Sequence, residues 1–225
     1  MGKPIIGIIG LGKMGGNLAL QAIDKGYTVV AYDTRHNEEL KQKGVQYQNS
    51  TEAMLQKLSS PKIVFLYVPA GDAVDSLLNQ LAGLVSPGDI LVDGGNSYWG
   101  DSIKRAEQLK QKGIFLIDCG TSGGVDGARN GACFMAGGEN EPMQHIAPIL
   151  IDLSVPDGFV HTGAPGSGHF VKLVHNGIEF GMLQAIGEGM DLLSHYREKL
   201  DFPSKNMEPW FCNTFMADWI NGKSL

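Results

Sequence analysis

The stretch Ile5-Ile-Gly-Ile-Ile-Gly10-Leu-Gly-Lys-Met-Gly15 decides the fold that we predict for this chain of 225 residues. A short apolar run ends in glycines spaced G-x-G-x-x-G, and a helical pattern follows. In that setting the first glycine permits a tight turn, the second lets the backbone approach a pyrophosphate, and the third lets helix and strand pack closely. The alternative is that these glycines form only an ordinary strand-to-helix turn. We predict a phosphate-binding turn made by Gly10, Leu11, Gly12, Lys13, Met14 and Gly15.

An acidic residue completes this dinucleotide fingerprint. Asp33 ends the second predicted strand, Thr28–Tyr32, and stands eighteen residues after Gly15. A carboxylate at this position accepts hydrogen bonds from ribose hydroxyls and repels a 2′-phosphate, so the pattern favours NAD over NADP. Thr34 and Arg35 follow it. Arg35 keeps NADP open as the alternative cofactor, because its side chain could rotate toward a 2′-phosphate.

Strand and helix signals alternate from the first strand to about residue 163. This alternation predicts an α/β fold, a Rossmann-like doubly wound and largely parallel sheet over residues 1–163. Ligands bind beyond the carboxyl ends of strands in such sheets. Three segments lie just past predicted strand ends, and we expect ligand contacts from them: Val68-Pro69-Ala70, Asn96 and Ser122-Gly123-Gly124. For Asn96 alone, capping of its own loop is the alternative.

Local signals also predict element boundaries. Asn49 and Glu52 stand at capping-box spacing before a helix expected over Ser50–Leu58, and Asp72 can cap a helix that runs through Leu84. After Gly124 we expect an irregular stretch as far as a short strand near Cys133–Ala136. A Gly-, Pro- and Ser-rich linker, Gly163–Gly168, then separates the sheet domain from an all-α segment, residues 164–225.

That segment opens with one long helix from His169 to about Arg197, and a second amphipathic helix is expected after Pro209. At about 100° per residue, four polar side chains of the first helix share one face within an arc of roughly 100°. Apolar residues take the rest of its circumference, which predicts a mostly buried helix that presents polar groups to a cavity. The alternative is that the Lys and Glu of this face are an ordinary pair of solvated charges on the helix surface. The four polar residues are Lys172, His175, Asn176 and Glu179.

Bulk properties exclude several classes of function. A net charge of −6 and a pI near 5.5 provide no electrostatic footprint for nucleic acid. Cys119, Cys133 and Cys212 show neither C-x-x-C nor metal-ligand spacing, which predicts free thiols, a reducing compartment and no metal site. The first residues lack a long apolar segment, and no apolar run reaches membrane-spanning length. We therefore expect a soluble, cytoplasmic protein without membrane or nucleic-acid partners.

Together these motifs resemble the decarboxylating 6-phosphogluconate dehydrogenase family, in particular its short, NAD-type members. The matching motifs are Gly10-Leu-Gly-Lys-Met-Gly15, Val92-Asp-Gly-Gly-Asn-Ser97, Gly120-Thr-Ser-Gly-Gly124 and Lys172-Leu-Val-His-Asn-Gly-Ile-Glu179. The last motif is the most specific, and the resemblance runs from residue 3 to about residue 195. The larger, NADP-dependent part of the family tends to have Asn-Arg-Thr where this chain has Asp33-Thr-Arg35.

The resemblance implies oxidation of the C3 hydroxyl of a phosphorylated sugar acid and loss of CO₂ to give ribulose 5-phosphate, a step of the pentose phosphate pathway. It implies Lys172 as general base, which requires a lowered pKa for that amine, and Glu179 as the acid that protonates C1 of the enediol left by decarboxylation. It also implies a homodimer or higher homo-oligomer. The implied substrate contacts are Asn96, Ser122, Gly123, Gly124, His175, Asn176 and Phe180, with Phe180 in place of the usual Tyr, and Asn96 contacts the cofactor as well.

Two alternatives remain open. Short members of the family continue well beyond the length of this chain, so that the helical domain is expected to be incomplete. The first alternative is therefore a truncated, non-catalytic derivative that binds a dinucleotide. The other alternative is a β-hydroxyacid dehydrogenase acting on a small unphosphorylated acid, which Phe180 favours and His175 and Glu179 oppose.

Overall fold

The computed structural model describes residues 2–35 and 37–200. Eight strands and eight helices are assigned in this part of the chain. The strands are β1 Ile5–Ile9, β2 Thr28–Tyr32, β3 Gln46–Tyr47, β4 Ile63–Leu66, β5 Ile90–Asp93, β6 Phe115–Ser122, β7 Ala132–Gly137 and β8 Ser154–Gly163. The helices are α1 Lys13–Asp24, α2 Glu38–Gln42, α3 Thr51–Leu55, α4 Asp72–Leu81, α5 Trp99–Lys110, α6 Gly124–Asn130, α7 Asn140–Asp152 and α8 Ser167–Leu200.

The strands form one eight-stranded sheet in the order β3-β2-β1-β4-β5-β6-β7-β8. Every neighbouring pair is parallel except β6 and β7, which are antiparallel. The predicted Rossmann-like fold is therefore confirmed. The chain builds outward from β1 on one side and then returns to place β4 on its other side, so that the edge above β1 and β4 is the switch point where such sheets bind ligands.

Both faces of the sheet are covered, which explains why its central strands read as continuous apolar runs. In β4, Ile63 and Phe65 pack on the side of α1 and α7, whereas Val64 and Leu66 pack on the side of α3, α4 and α5. All four side chains are buried. The alternation follows from the twofold period of a strand, and it fixes the sheet as a rigid support for the loops at its carboxyl edge.

Two predicted caps are wrong. Ser50, not Asn49, is the N-cap of α3, because its Oγ accepts a hydrogen bond from the backbone N–H of Ala53 at 3.1 Å. Asp72 lies inside the first turn of α4, whose N-cap is Gly71 at φ +87°, without a side-chain cap. An acid in the first turn still favours the positive end of the helix dipole.

Three local predictions need correction. The short strand β3 was not expected, and the stretch expected to be irregular after Gly124 contains α6. Glycines concealed this helix because they lower helix propensity wherever they occur. Gly163 belongs to β8, and α8 begins at Ser167, so that ordered elements occupy part of the predicted linker. The helix predicted after Pro209 lies outside the described residues.

The chain separates into two compact units, one that ends at His175 and one that begins at Asn176. The first contains the whole sheet. Between residues 2 and 200, residue 36 aside, no helix has both the length and the apolar character that crossing a membrane requires.

Candidate functional site

The turn between β1 and α1 has the geometry that its glycines predicted. Gly10 has φ +91°, and a side chain there would collide with the carbonyl of Tyr67. A Cβ on Gly15 would collide with the carbonyl of Gly10. Gly12, by contrast, faces open space and is the N-cap of α1 without a side-chain cap. The first N–H groups of α1 therefore point toward an open surface, which is the arrangement that binds phosphate.

Asp33 ties the end of β2 to this turn. Its Oδ2 accepts a hydrogen bond from the N–H of Leu11 at 2.5 Å, and its Oδ1 accepts one from the N–H of Arg35 at 2.8 Å. Each carboxylate oxygen has a further lone pair, so that hydrogen bonds from ribose hydroxyls remain available. Thr34 and Arg35 are exposed beside it. The turn, Asp33 and Arg35 therefore stand together, as the fingerprint predicted.

The loop after β5 is held by a buried acid. Asp93 accepts hydrogen bonds from the N–H of Gly95 at 3.1 Å and from Oγ of Ser97 at 2.6 Å. Asn96 lies between these two residues and is exposed, and its side chain makes no hydrogen bond within the described part of the chain. The capping of this loop is thus performed by Asp93 and Ser97. Asn96 itself remains exposed, and its contact with a ligand stays a prediction.

The loop after β4 stands next to it, since β4 and β5 are neighbours. Val68 is half-buried, while Pro69 and Ala70 are exposed. Tyr67 precedes them and was not among the predicted site residues. A Cβ on Gly94 would stand 2.5 Å from Cζ of the Tyr67 ring, and the Tyr67 hydroxyl lies 3.4 Å from Oγ1 of Thr121. Tyr67 thus fills the space between the ends of β4, β5 and β6, and burial raises the pKa of its hydroxyl.

Lys172 is buried against the end of β6. A Cβ on Gly120 would stand 2.5 Å from Cβ and 3.1 Å from Cγ of Lys172, so that only glycine admits the lysine stem at this distance. Two residues beyond Gly120, Ser122 is half-buried, and Gly123 and Gly124 are exposed. The structure therefore brings the predicted base to the strand whose end carries the predicted substrate contacts.

The first turn of α8 is anchored by two residues that sequence reasoning missed. Asp118, buried in β6, accepts hydrogen bonds from the N–H groups of Gly166 at 2.6 Å and His169 at 2.8 Å. Nδ1 of His169 lies 2.8 Å from Oγ of Ser102 on α5. Burial raises the pKa of Asp118 even though both N–H donors act in the opposite direction. The sequence did contain a signal for Asp118, because it is an acidic residue inside an apolar strand. Acidic residues are rarely buried without a partner.

The remaining predicted residues also lie on α8, which runs without interruption from Ser167 to Leu200. The helical spacing behind the polar face is therefore confirmed. His175 is exposed, and Asn176 and Glu179 are half-buried. The relation of these polar groups to a common cavity stays a prediction.

The expectation that α8 is mostly buried is wrong for the described residues. Lys172 and His169 are buried, but the apolar side chains are not: Phe170 is 48 % exposed, Leu173 53 % and Ile178 62 %. In the first unit only one side of the helix faces the sheet and α5. In the second unit α8 is the sole element described, so that no other described element of that unit covers its apolar side chains.

The family follows from matches over both parts of the chain. The model for the NAD-binding domain of 6-phosphogluconate dehydrogenase matches residues 5–163, and the model for the C-terminal domain of the same enzyme matches residues 168–214. The chain belongs to the 6-phosphogluconate dehydrogenase family. The predictions of this family and of an oxidoreductase class are confirmed.

Three known proteins illustrate the similarity. A Haloferax volcanii 6-phosphogluconate dehydrogenase, named as NAD(+)-dependent and decarboxylating, is 38 % identical over 218 residues, which cover 96 % of this chain and 72 % of the relative. A Plasmodium falciparum 6-phosphogluconate dehydrogenase, solved in its apo form and with NADP⁺ or 6-phosphogluconate, has a TM-score of 0.80 at 34 % identity, over 85 % of this chain and 44 % of that one. Mycobacterium tuberculosis 3-hydroxyisobutyrate dehydrogenase shares the fold, with a TM-score of 0.79 at 22 % identity over 95 % of this chain and 71 % of that one.

For this member of the 6-phosphogluconate dehydrogenase family, the described residues contain no group of three or more His, Cys, Asp or Glu side chains placed to hold a metal ion. Cys119 is buried, Cys133 is exposed, and both are free thiols. Cys212 lies outside the described residues.

Proposed function

We propose that this protein oxidises and decarboxylates 6-phosphogluconate to ribulose 5-phosphate and CO₂, with NAD as the oxidant. The observation that carries the proposal is the position of Lys172, a buried lysine seated on Gly120 at the end of β6. A lysine at this edge of the sheet is a candidate general base, because its amine in the neutral form can take a proton from a substrate hydroxyl. The dinucleotide turn lies at the same edge of the same sheet.

The residues fit the dinucleotide. The open space at Gly12 and the uncapped start of α1 suit the pyrophosphate, and Asp33 suits the ribose hydroxyls. Val68, Pro69, Ala70 and Asn96 lie on the other side of β1 from Asp33, a position that suits the nicotinamide half. Bound NAD would accept the hydride that leaves C3 of the substrate.

The chain's own residues then perform two proton transfers. Lys172, in its neutral form, takes the proton of the C3 hydroxyl while the C3–H bond breaks. The resulting β-keto acid loses its carboxylate as CO₂, and the electron pair of that bond forms an enediolate. Glu179 donates a proton to C1 of this enediolate, which was C2 of the substrate, and ribulose 5-phosphate results. Ser122, Gly123, Gly124, His175 and Asn176 supply hydrogen bonds for the hydroxyls and carboxylate of the substrate.

NAD is favoured over NADP for two reasons. The carboxylate of Asp33 would stand against a 2′-phosphate, and the Haloferax relative is named as NAD(+)-dependent. Arg35 is exposed beside Asp33. Its side chain could rotate toward a 2′-phosphate, so that a weaker reaction with NADP remains the alternative. At the substrate end, Phe180 lacks a hydroxyl for the substrate phosphate, and one hydrogen bond to a charged group contributes about 1.5–3 kcal/mol.

A homo-oligomer is part of the proposal. Several apolar side chains of α8 are exposed, among them Phe170, Leu173, Ile178 and Phe180, and exposed apolar surface often marks a contact with another protein chain. A well-behaved monomer in sedimentation equilibrium would speak against this part.

The deciding experiment measures NADH or NADPH formation from 6-phosphogluconate, with Lys172→Met as the matched variant. Turnover that the variant loses supports the reaction and Lys172 as base. Dinucleotide binding without turnover identifies a non-catalytic binding derivative instead. Turnover of 3-hydroxyisobutyrate but not of 6-phosphogluconate identifies a β-hydroxyacid dehydrogenase.

A further inference from the structure

Arg105, on α5, is a buried charge that the proposed reaction does not use. It is 5 % exposed. Its Nε donates a hydrogen bond to Oδ1 of Asp75 at 2.7 Å, and its Nη2 donates one to the carbonyl of Gly71 at 3.3 Å. Its Nη1 lies 3.9 Å from Oδ2 of Asp93 and makes no hydrogen bond among the described residues. One guanidinium therefore faces three segments of chain at once.

Two of these segments are loops at the ligand edge of the sheet. Gly71 closes the loop after β4, which contains Val68 and leads into α4. Asp93 organises the loop after β5, because its two oxygens accept hydrogen bonds from Gly95 and Ser97 on either side of Asn96. Arg105 is the cation next to this buried carboxylate, which would otherwise hold a charge in a poorly solvated place at considerable cost.

The strand order assigns these loops to one half of a dinucleotide. Asp33 lies at the end of β2, the phosphate turn follows β1, and β4 and β5 lie beyond β1 on the other side. A dinucleotide bound at this edge would have its adenosine half over β2 and its nicotinamide half over β4 and β5.

We propose that Arg105 is a positioning residue, which holds the loop of residues 68–71 and the loop of residues 94–97 at a fixed separation and thereby selects for the nicotinamide half of the cofactor. The inference rests on the proposed function only in that a dinucleotide binds at this edge. Arginine suits this task, because its planar fork presents donors in several fixed directions, whereas a lysine ammonium is a single point charge.

The chain contains a matched control at the opposite end of the same two strands. Nζ of Lys62 lies 3.2 Å from Oδ2 of Asp89, and the two side chains are 17 % and 2 % exposed. Lys62 precedes β4 and Asp89 precedes β5, so that this ion pair also joins β4 to β5, but away from the ligand edge. Lys62→Met therefore removes a similar buried ion pair without touching either loop.

The first experiment compares NADH with ADP-ribose, which lacks the nicotinamide, by calorimetry on the full chain. In Arg105→Met we expect the Kd for NADH to rise roughly tenfold, as for the loss of one net hydrogen bond, while the Kd for ADP-ribose stays within about twofold. Arg105→Lys should lie between wild type and Arg105→Met, and Lys62→Met should leave the ratio of the two constants unchanged. Equal weakening of both ligands in the Arg105 variants, or the same selective loss in Lys62→Met, overturns the proposal.

A second experiment needs no ligand and keeps the two hypotheses separate. Amide hydrogen exchange in Arg105→Met, or in Arg105→Lys if the former does not fold, should accelerate in peptides that cover residues 68–75 and 94–98. In Lys62→Met these peptides should match wild type. Unchanged exchange there in the Arg105 variants overturns the positioning role. If wild type binds neither NADH nor ADP-ribose, the proposed function fails, and the exchange pattern still decides whether Arg105 holds the loops.

Discussion

The stem of Lys172 rests directly on Gly120: a Cβ at Gly120 would stand 2.5 Å from Cβ of Lys172 and 3.2 Å from the carbonyl oxygen of Gly168. Sheet and helix approach each other this closely at Lys172, the residue that we propose as the general base. The position of its amine therefore depends on the absence of a side chain from β6.

Gly120→Ala is expected to reduce both the stability of the fold and the activity. The added methyl group must push α8 away from β6, and overpacking of this kind costs about 1–3 kcal/mol of folding free energy. Displacement of the base by a fraction of an ångström should lower kcat by at least about tenfold. Gly83→Ala is the control, because its Cβ would meet only the carbonyl of Gln80 at 3.5 Å, an ordinary contact. Wild-type kcat in a folded Gly120→Ala protein would contradict the prediction.

Gly94→Ala is expected to disturb the loop that carries Asn96. Its Cβ would stand 2.5 Å from Cζ of Tyr67 and 2.8 Å from the hydroxyl oxygen, and the ring has little room because its hydroxyl also lies 3.4 Å from Oγ1 of Thr121. We expect a loss of about 1–3 kcal/mol in unfolding free energy. Chemical denaturation measures it. Combining Gly94→Ala with Tyr67→Leu should restore part of that loss, and a fully additive double variant would rule out the ring as the cause.

Asp33→Asn is expected to shift the cofactor preference toward NADP. The amide removes the negative charge that opposes a 2′-phosphate, and its oxygen can still accept the hydrogen bond from Leu11. The ratio of kcat/KM for NAD to that for NADP should fall about tenfold or more, which corresponds to about 1.4 kcal/mol. Arg35→Ala should act in the opposite direction by weakening NADP alone. An unchanged ratio in Asp33→Asn would show that the carboxylate does not discriminate.

Asp152 is expected to make stability fall at acid pH. Its carboxylate accepts hydrogen bonds from Nζ of Lys3 and from the hydroxyl of Tyr27, both at 2.7 Å, and these partners lower its pKa. Because the folded-state pKa lies below the unfolded value of about 3.9, the stabilisation is complete above that value and is lost as the pH falls through the folded-state pKa.

Asp152→Asn should therefore be less stable than wild type at about pH 6, and the difference should be smaller at about pH 3, below the unfolded-state pKa. The side chain is 41 % exposed, so solvent screening limits the difference to less than about 1 kcal/mol. Urea denaturation at both pH values measures it. A difference that persists unchanged at the lower pH would assign the effect to packing rather than to charge.

Much of this architecture could be predicted because its signals are local. The apolar run Ile5–Ile9, the glycine spacing after it and Asp33 at the next strand end each reflect the geometry of a few neighbouring residues. The same is true of α8, whose polar spacing of three, four and seven residues indicates a helix. Where local signals conflicted, as in the glycine-rich α6, the prediction was wrong, because tertiary packing overrides weak propensity.

Which residues meet was decided by the tertiary structure alone. Arg105 reaches Asp75 across 30 residues of sequence, and the N–H of His169 reaches Asp118 across 51. Neither contact produces a periodic pattern in the sequence, because each forms only after two separate elements have packed against each other. The amino-acid order thus determined the sheet, its ligand edge and the helix that carries Lys172. Only packing determined that Lys172 is seated on Gly120 and that one guanidinium joins two loops, since burial and distance are properties of the assembled fold.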